Sequence, residues 1–281
     1  MIKSTVTLAF MVTVFSASLM KAQDFQGQAI YESKTIIKDD IKIDGPNMTP
    51  DMKAMFAEKM KKAFEKTYAL NFNKTESIYE EPQKLEAPGA SSGGVVIKTA
   101  SASDGKIYKN IKSKMMLSEE DFFGKEFLIT DSLPNWNWQL LNETKKIGNY
   151  TCYKAVSVIP VTKEDMEEYE KMKKKKSEGT TQLFTVSEPK ERTITVWYTP
   201  EIPISQGPGE YWGLPGLIME VNDATTVVLC SKIILNPKDK ITIKVPKSGK
   251  KVTKKEYDIL IEKQMEQMKD SKGNIQIRIG N

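Results

Sequence analysis

The stretch GPGEYWGLPGLIMEVND, Gly207 to Asp223, runs on into ATTVVLCSKIIL, Ala224 to Leu235, and decides the fold. Leu214-Pro215-Gly216-Leu217 has the composition of a type II turn: proline at the second position sets φ, and Gly216 at the third supplies the positive φ that the turn demands. Gly207-Pro208-Gly209 permits another sharp bend just upstream. Beyond the turn, Leu217, Met219 and Val221 alternate with Ile218, Glu220 and Asn222, the period of a strand that buries one face. Asn222-Asp223-Ala224 then makes a hairpin tip, and TTVVLCSKIIL returns as the partner strand. A double turn feeding a hairpin accounts for this chemistry without a ligand.

Strand-like segments extend outward from that hairpin. They are GQAIYESKTIIKDDIKI, YALNFNKTESIYE, KIYKNIKSKMMLSEE, GKEFLITDS, NWNWQLLNETKKI, NYTCYKAVSVIPVT, TQLFTVSEPKERTITVWYTPEI and, near the end, NIQIRI. Trp136 and Trp138, two residues apart, would share one face of a strand. Stacking on sugars or bases is one use for such a pair, and packing into a core is the use aromatic side chains favour. Three helices interrupt the strands. Thr49-Pro50-Asp51 caps an amphipathic stretch with Met52, Met55, Phe56, Met60 and Phe64 on one side. Thr162 with Asp165 and Thr253 with Glu256 match capping boxes, the second opening a stripe of Tyr257, Leu260, Ile261, Met265 and Met268. Helices between runs of strands, without regular βαβ alternation, predict an α+β fold built on a large antiparallel sheet. By analogy, that sheet is curved like the half-barrel of periplasmic lipoprotein carriers and bears two or three helices. Residues 23–281 read as one domain, with a mobile loop at about 82–105 and a charged helical insertion at about 162–179.

The first residues carry Lys3, an apolar run from Val6 to Phe15 and small residues before Ala22, the pattern of a cleavable export signal over 1–22. Its removal takes Lys3 and Lys21, so 42 basic residues fall to 40 against 37 acidic ones, a charge of +3. Acidic and basic residues are interspersed, which argues against nucleic acid as a partner. No cysteine follows the apolar run, so no lipid anchor is expected on a new N-terminus. Cys152 and Cys230 both sit in strand-like segments. An oxidising compartment permits a disulfide between them, and two buried free thiols fit the sequence as well.

The chain has no histidine. Ser-His-Asp and Cys-His machinery are excluded, and the commonest zinc ligand is missing. Gly89-Ala90-Ser91-Ser92-Gly93 matches a nucleophile elbow in letters only, since no base is available to it. A hydrolase would have to use paired carboxylates, with Glu119, Glu120, Asp121, Glu143 and Glu220 as candidates. The other route is Ser-Lys chemistry at Ser103–Lys106 or Ser187–Lys190. Neither a cofactor nor a metal is expected.

GLPGLI at Gly213 to Ile218, DFFGKEFLITDSLP at Asp121 to Pro134, ETKKIGNYTCYKA at Glu143 to Ala155 and WYTPEIPIS at Trp197 to Ser205 resemble the GLPGLI family from about Tyr68 to Leu235. The resemblance implies an exported envelope protein of the periplasm or outer membrane, of a family with no established activity and no catalytic residues to carry over. Genes of that family often stand beside those of TonB-dependent outer-membrane transporters, which makes such a transporter an expected partner. The expectation is therefore a non-enzymatic binding or accessory protein, taking an envelope protein, a lipid or a peptide. Trp197, Tyr211, Trp212, Met52, Met55 and Phe56 are its candidate contact residues.

Overall fold

The computed structural model describes residues 25–35, 49, 51, 65–82, 105–177 and 188–267. The expected export signal, the helix carrying Met52, Met55 and Phe56, nearly all of the 82–105 loop and the NIQIRI strand lie outside them. Within the described residues the chain forms strands β1 (Gln26–Thr35), β2 (Glu65–Asn73), β3 (Glu76–Glu80), β4 (Ile107–Asn110), β5 (Met115–Phe122), β6 (Lys125–Ser132), β7 (Gln139–Ile147) and β8 (Tyr150–Ile159). Helix α1 (Lys163–Ser177) follows, then β9 (Arg192–Thr199), β10 (Leu217–Asn222), β11 (Thr226–Leu235), β12 (Lys250–Val252) and α2 (Lys254–Gln267). None of these helices is long and apolar enough to cross a membrane.

All twelve strands join one open sheet in the order β12-β6-β5-β4-β3-β2-β1-β11-β10-β9-β8-β7. Every neighbouring pair is antiparallel except β12 on β6, so the sheet is mixed at one edge. That parallel edge adds to the expected large antiparallel sheet a feature that is not legible in sequence, because three residues after a long irregular connection carry no alternation to read. β1 sits in the interior, Tyr31 pairing with Tyr68 on β2 and with Cys230 on β11. Its alternating burial matches its alternating sequence.

Turns and caps follow the local chemistry. At the β10–β11 tip, Asn222 Oδ1 accepts from Ala224 N at 2.9 Å and Asp223 Oδ1 from Thr226 N at 2.6 Å, while Ala224 takes the left-handed conformation. The stretch KIYKNIKSKMMLSEE is two strands rather than one, β4 and β5 joined by a turn in which Asn110 Oδ1 accepts from Ser113 N at 3.0 Å. Both capping boxes form: Thr253 N donates to Glu256 Oε2 at 2.8 Å and Glu256 N to Thr253 Oγ1 at 3.2 Å, and Thr162 and Asp165 do the same for α1. The stripe of α2 packs Tyr257, Leu260 and Ile261 on Phe122, Phe127, Ile129 and Val252.

The sheet curls. Gln206, in the connection between β9 and β10, accepts from Ile218 N of β10 at 3.0 Å through its carbonyl, and its side chain accepts from Ser77 Oγ of β3 at 2.8 Å. β10 and β3 are four strand steps apart, about 19 Å in a flat sheet, more than one residue and its two hydrogen bonds can span. Residues 200–216 therefore lie across the inner side of a curved sheet. Ile202 and Ile204 are buried there among Tyr31, Leu70, Phe72 and Tyr79.

Candidate functional site

Two irregular segments meet over the inner side of the sheet, 133–138 and 200–216. Between them they hold Trp136, Trp138, Tyr211 and Trp212 of the residues the sequence singles out, while Met52, Met55 and Phe56 lie outside the described residues. Trp136, Trp138, Tyr211, Trp212 and Leu214 join Ala155, Ile194, Val196, Tyr198, Ile218 and Val221 in one apolar cluster. Trp136 is its centre: its ring stacks on Tyr211 at 4.7 Å and on Trp138 at 5.7 Å between centroids. Each indole N–H finds a backbone carbonyl in the facing segment. Trp136 Nε1 donates to Glu210 O at 3.2 Å, Trp138 Nε1 to Trp212 O at 2.8 Å and Trp212 Nε1 to Pro134 O at 2.8 Å. Ser157 Oγ of β8 donates to Trp136 O. Three tryptophans thus tie the two segments together, which satisfies polar groups that burial would otherwise leave costly.

Trp136 and Trp138 precede β7 instead of standing on it, and Asn137 between them adopts a left-handed conformation. They share a cluster through that bend and not through strand period. Tyr211 and Trp212 are half-buried and packed against the core, so the structure brings them together with Trp136 and Trp138. Trp197 is elsewhere: half-buried on β9, it carries Lys145 Nζ 4.4 Å above its ring, and that ammonium also pairs with Glu220 at 2.6 Å.

The turn itself works differently from its sequence. Gly216 does not adopt positive φ; Gly209 and Gly213 do. The type II assignment is corrected accordingly. A Cβ on Gly216 would overlap Thr199 O and sit 2.5 Å from Thr199 C and 2.9 Å from Pro200 N, so glycine is needed there for close backbone approach. Pro215 beside it is exposed. The expected single buried face of β10 is also revised: Leu217, Ile218, Met219 and Val221 are all buried. The register against β9 slips at Met219, with Ile218 opposite Tyr198 and Glu220 opposite Trp197, and this bulge rephases the strand.

Cys152 and Cys230 are buried free thiols, not a disulfide. They stand on β8 and β11, three strand steps apart in the sheet, and both side chains join the cluster of Tyr31, Leu217 and Met219. Burial pushes the two thiols up to about 11 and about 12, away from the reactive thiolate. Both should resist iodoacetamide in the folded protein. After denaturation without reductant, mass spectrometry should count two alkylated cysteines; none would restore the disulfide.

The polar groups beneath 200–216 carry no motif, and sequence reading passes over them. Lys109 on β4 is fully buried beside Ser77 on β3, its cross-strand partner. Lys109 Nζ donates to Gly207 O at 2.6 Å and to Tyr211 O at 2.8 Å. No carboxylate of the described residues pairs with it. Burial drives its ammonium down to about 7, with Glu210 opposing the shift. Gln206 is fully buried as well, and its Nε2 has no partner among the described residues. The one available signal was the parity of IYKN, which places Lys109 on the same face as Ile107.

Each of the candidate carboxylates has a partner. Glu220 pairs with Lys145, Glu143 with Lys154 at 3.0 Å, and Glu119 accepts from Lys247 N at 3.2 Å and Ser248 N at 3.3 Å. Glu120 accepts from Ser118 Oγ at 2.7 Å, and Asp121 from Gly124 N at 3.2 Å. Among the described residues no three Cys, Asp or Glu side chains gather as a metal site.

Comparison with known proteins gives a family segment and distant structural likenesses. No curated protein matches the chain. Among solved structures it is similar to PNGF-II in its C2 crystal form, with 14% identity and a TM-score of 0.46 over 86% of this chain and 33% of that one. The P21 form of PNGF-II gives 14% identity and 0.45 over 86% and 34%. The Mycobacterium tuberculosis lipoprotein LppX gives 8% identity and 0.23 over 83% and 94%. The chain spans about a third of the length of the PNGF-II structures. Residues 138–220, from Trp138 through GLPGLI to Glu220, match the model of a family described as a protein of unknown function, Porph_ging.

Proposed function

We propose that this chain is an exported, non-enzymatic binding or accessory protein of the cell envelope that works by contact with another envelope protein. The observation that carries this reading is the course of residues 200–216. The inner side of the curved sheet, where an apolar ligand would lie, is occupied by Ile202, Ile204 and Gln206 of the chain itself. Recognition then falls to the outer surface and to the connections between strands. The absence of histidine and the existing partners of all five candidate carboxylates support a non-enzymatic role. An outer-membrane transporter is the expected partner class, on the resemblance set out above.

The test uses the full chain, purified from native outer membranes after cross-linking and analysed by size exclusion and mass spectrometry. A stoichiometric complex with an outer-membrane transporter is expected. Co-purification of a stoichiometric lipid without a protein partner would replace this reading with that of an apolar-ligand carrier. Turnover of peptidoglycan, glycan or peptide, abolished by one Asp or Glu substitution, would replace it with the hydrolase.

A further inference from the structure

We propose that residues 200–216 form a latch that opens locally, ahead of the rest of the sheet, and that its docking is coupled to loss of a proton from Lys109. The contacts that hold the segment are identifiable: three indole N–H bonds tie it to 133–138, and Leu217 N and Ile218 N of β10 donate to Ile202 O and Gln206 O. Ile202 and Ile204 enter the core, Gln206 reaches Ser77, and Lys109 binds the carbonyls of Gly207 and Tyr211. Its own backbone bonds are local: Ile204 N donates to Ile202 O at 2.8 Å, Tyr211 N to Pro208 O at 3.1 Å and Gly213 N to Ser205 O at 3.5 Å. The rest of the sheet keeps its ladders without it, since β9 and β10 pair directly.

A fully buried lysine with two carbonyl acceptors is satisfied as a neutral amine, which has two protons to donate. As an ammonium it carries a third proton and a charge that burial penalises. Glu210 is the charged group acting on it from the segment above; Ser77 faces it from β3 and Met116 is its neighbour on β5. Docking holds the group near 7, whereas opening returns it towards its ordinary 10.5. The docked state thus binds fewer protons between these values. Docking strengthens as pH rises through that window, weakens as pH falls, and levels off below about 7.

Hydrogen exchange of the full chain, corrected for intrinsic rates, tests this between pH 6 and pH 9. Amides of Tyr211 and Gly213 should exchange well before those of β1 and β2. Their protection should fall by about tenfold for each unit from pH 9 towards 7, the limit for one proton, and then flatten. Lys109→Met should remove the dependence. Glu210→Gln, at an exposed position, removes the charge that favours the ammonium and should move the plateau to lower pH. Exchange of 200–216 only together with β1 and β2 would overturn the proposal. So would protection indifferent to pH in the wild type, a dependence that survives Lys109→Met, or a plateau unmoved by Glu210→Gln.

Discussion

Gly216→Ala is expected to leave little soluble folded protein. A methyl group at this position overlaps the carbonyl oxygen of Thr199 and presses on Thr199 C and Pro200 N at 2.5 and 2.9 Å. These are backbone atoms at the end of β9, where Ile202 N donates to Thr199 O and Leu217 N to Ile202 O. No side chain can rotate away, so β9 and β10 must move apart where the latch enters and leaves the sheet. Overpacking that displaces backbone costs roughly 3 kcal/mol or more, a large share of the 5–15 kcal/mol that typically holds a domain together. The comparison that isolates the cause is Gly216→Asn. Asparagine tolerates left-handed φ better than most residues, so a role in a type II turn would let it outperform alanine. Close approach predicts that it does no better, as measured by soluble yield and by the urea midpoint of whatever folds. Gly213 is the converse case: at φ +98, with Trp138 Nε1 3.6 Å from where a Cβ would stand, it is limited by dihedral and not by contact.

The contrast between these two glycines marks how far sequence reaches in this protein. Features written within a few residues were legible: the Asn222-Asp223-Ala224 tip, the two capping boxes and the alternation of β1 are local hydrogen-bonding and period effects, and the structure realises them. The α+β class and the largely antiparallel sheet followed from the same signals, while the curvature came by analogy alone. Features set by contacts distant in sequence were not legible. Gly216 owes its identity to Thr199, Lys109 its burial to Gly207 and Tyr211, and Trp136 its place to Tyr211 and Glu210. Each needs the 200–216 segment to fold back over a curved sheet, and no local pattern announces that. The aromatic candidates were found by their chemistry, and packing of the double turn onto the sheet is the expected alternative to a partner contact. The particular neighbours were not legible: Tyr211 and Trp212 lock two segments, and Trp197 shelters an ion pair between Lys145 and Glu220.

Trp136→Ala should be the most damaging aromatic substitution, and its effect separates a structural lock from a contact surface. Trp136 is 9% exposed, against the half-burial of Trp138 and Trp212, and sits between the rings of Tyr211 and Trp138. Truncation removes the buried ring, two stacking contacts and the donor to Glu210 O. A buried tryptophan cut to alanine costs about 3–5 kcal/mol. At about 2–4 °C per kcal/mol for a domain of this size, Tm should fall by roughly 10 °C. The damage should also be directional. With Trp136 gone, Tyr211 loses its neighbour while Lys109 still binds Tyr211 O, so the 133–138 connection loosens before 200–216. Near-ultraviolet circular dichroism should lose tryptophan intensity beyond one residue's share, because Trp138 and Trp212 lose the fixed setting that Trp136 gives them. Trp212→Phe keeps an aromatic ring but loses part of the indole along with the bond to Pro134 O; leaving that acceptor unmet costs about 1–3 kcal/mol, with a packing loss in addition. If Trp136→Ala instead left Tm within a degree or two while abolishing capture of an envelope partner, the cluster would be a recognition surface and the lock would be wrong.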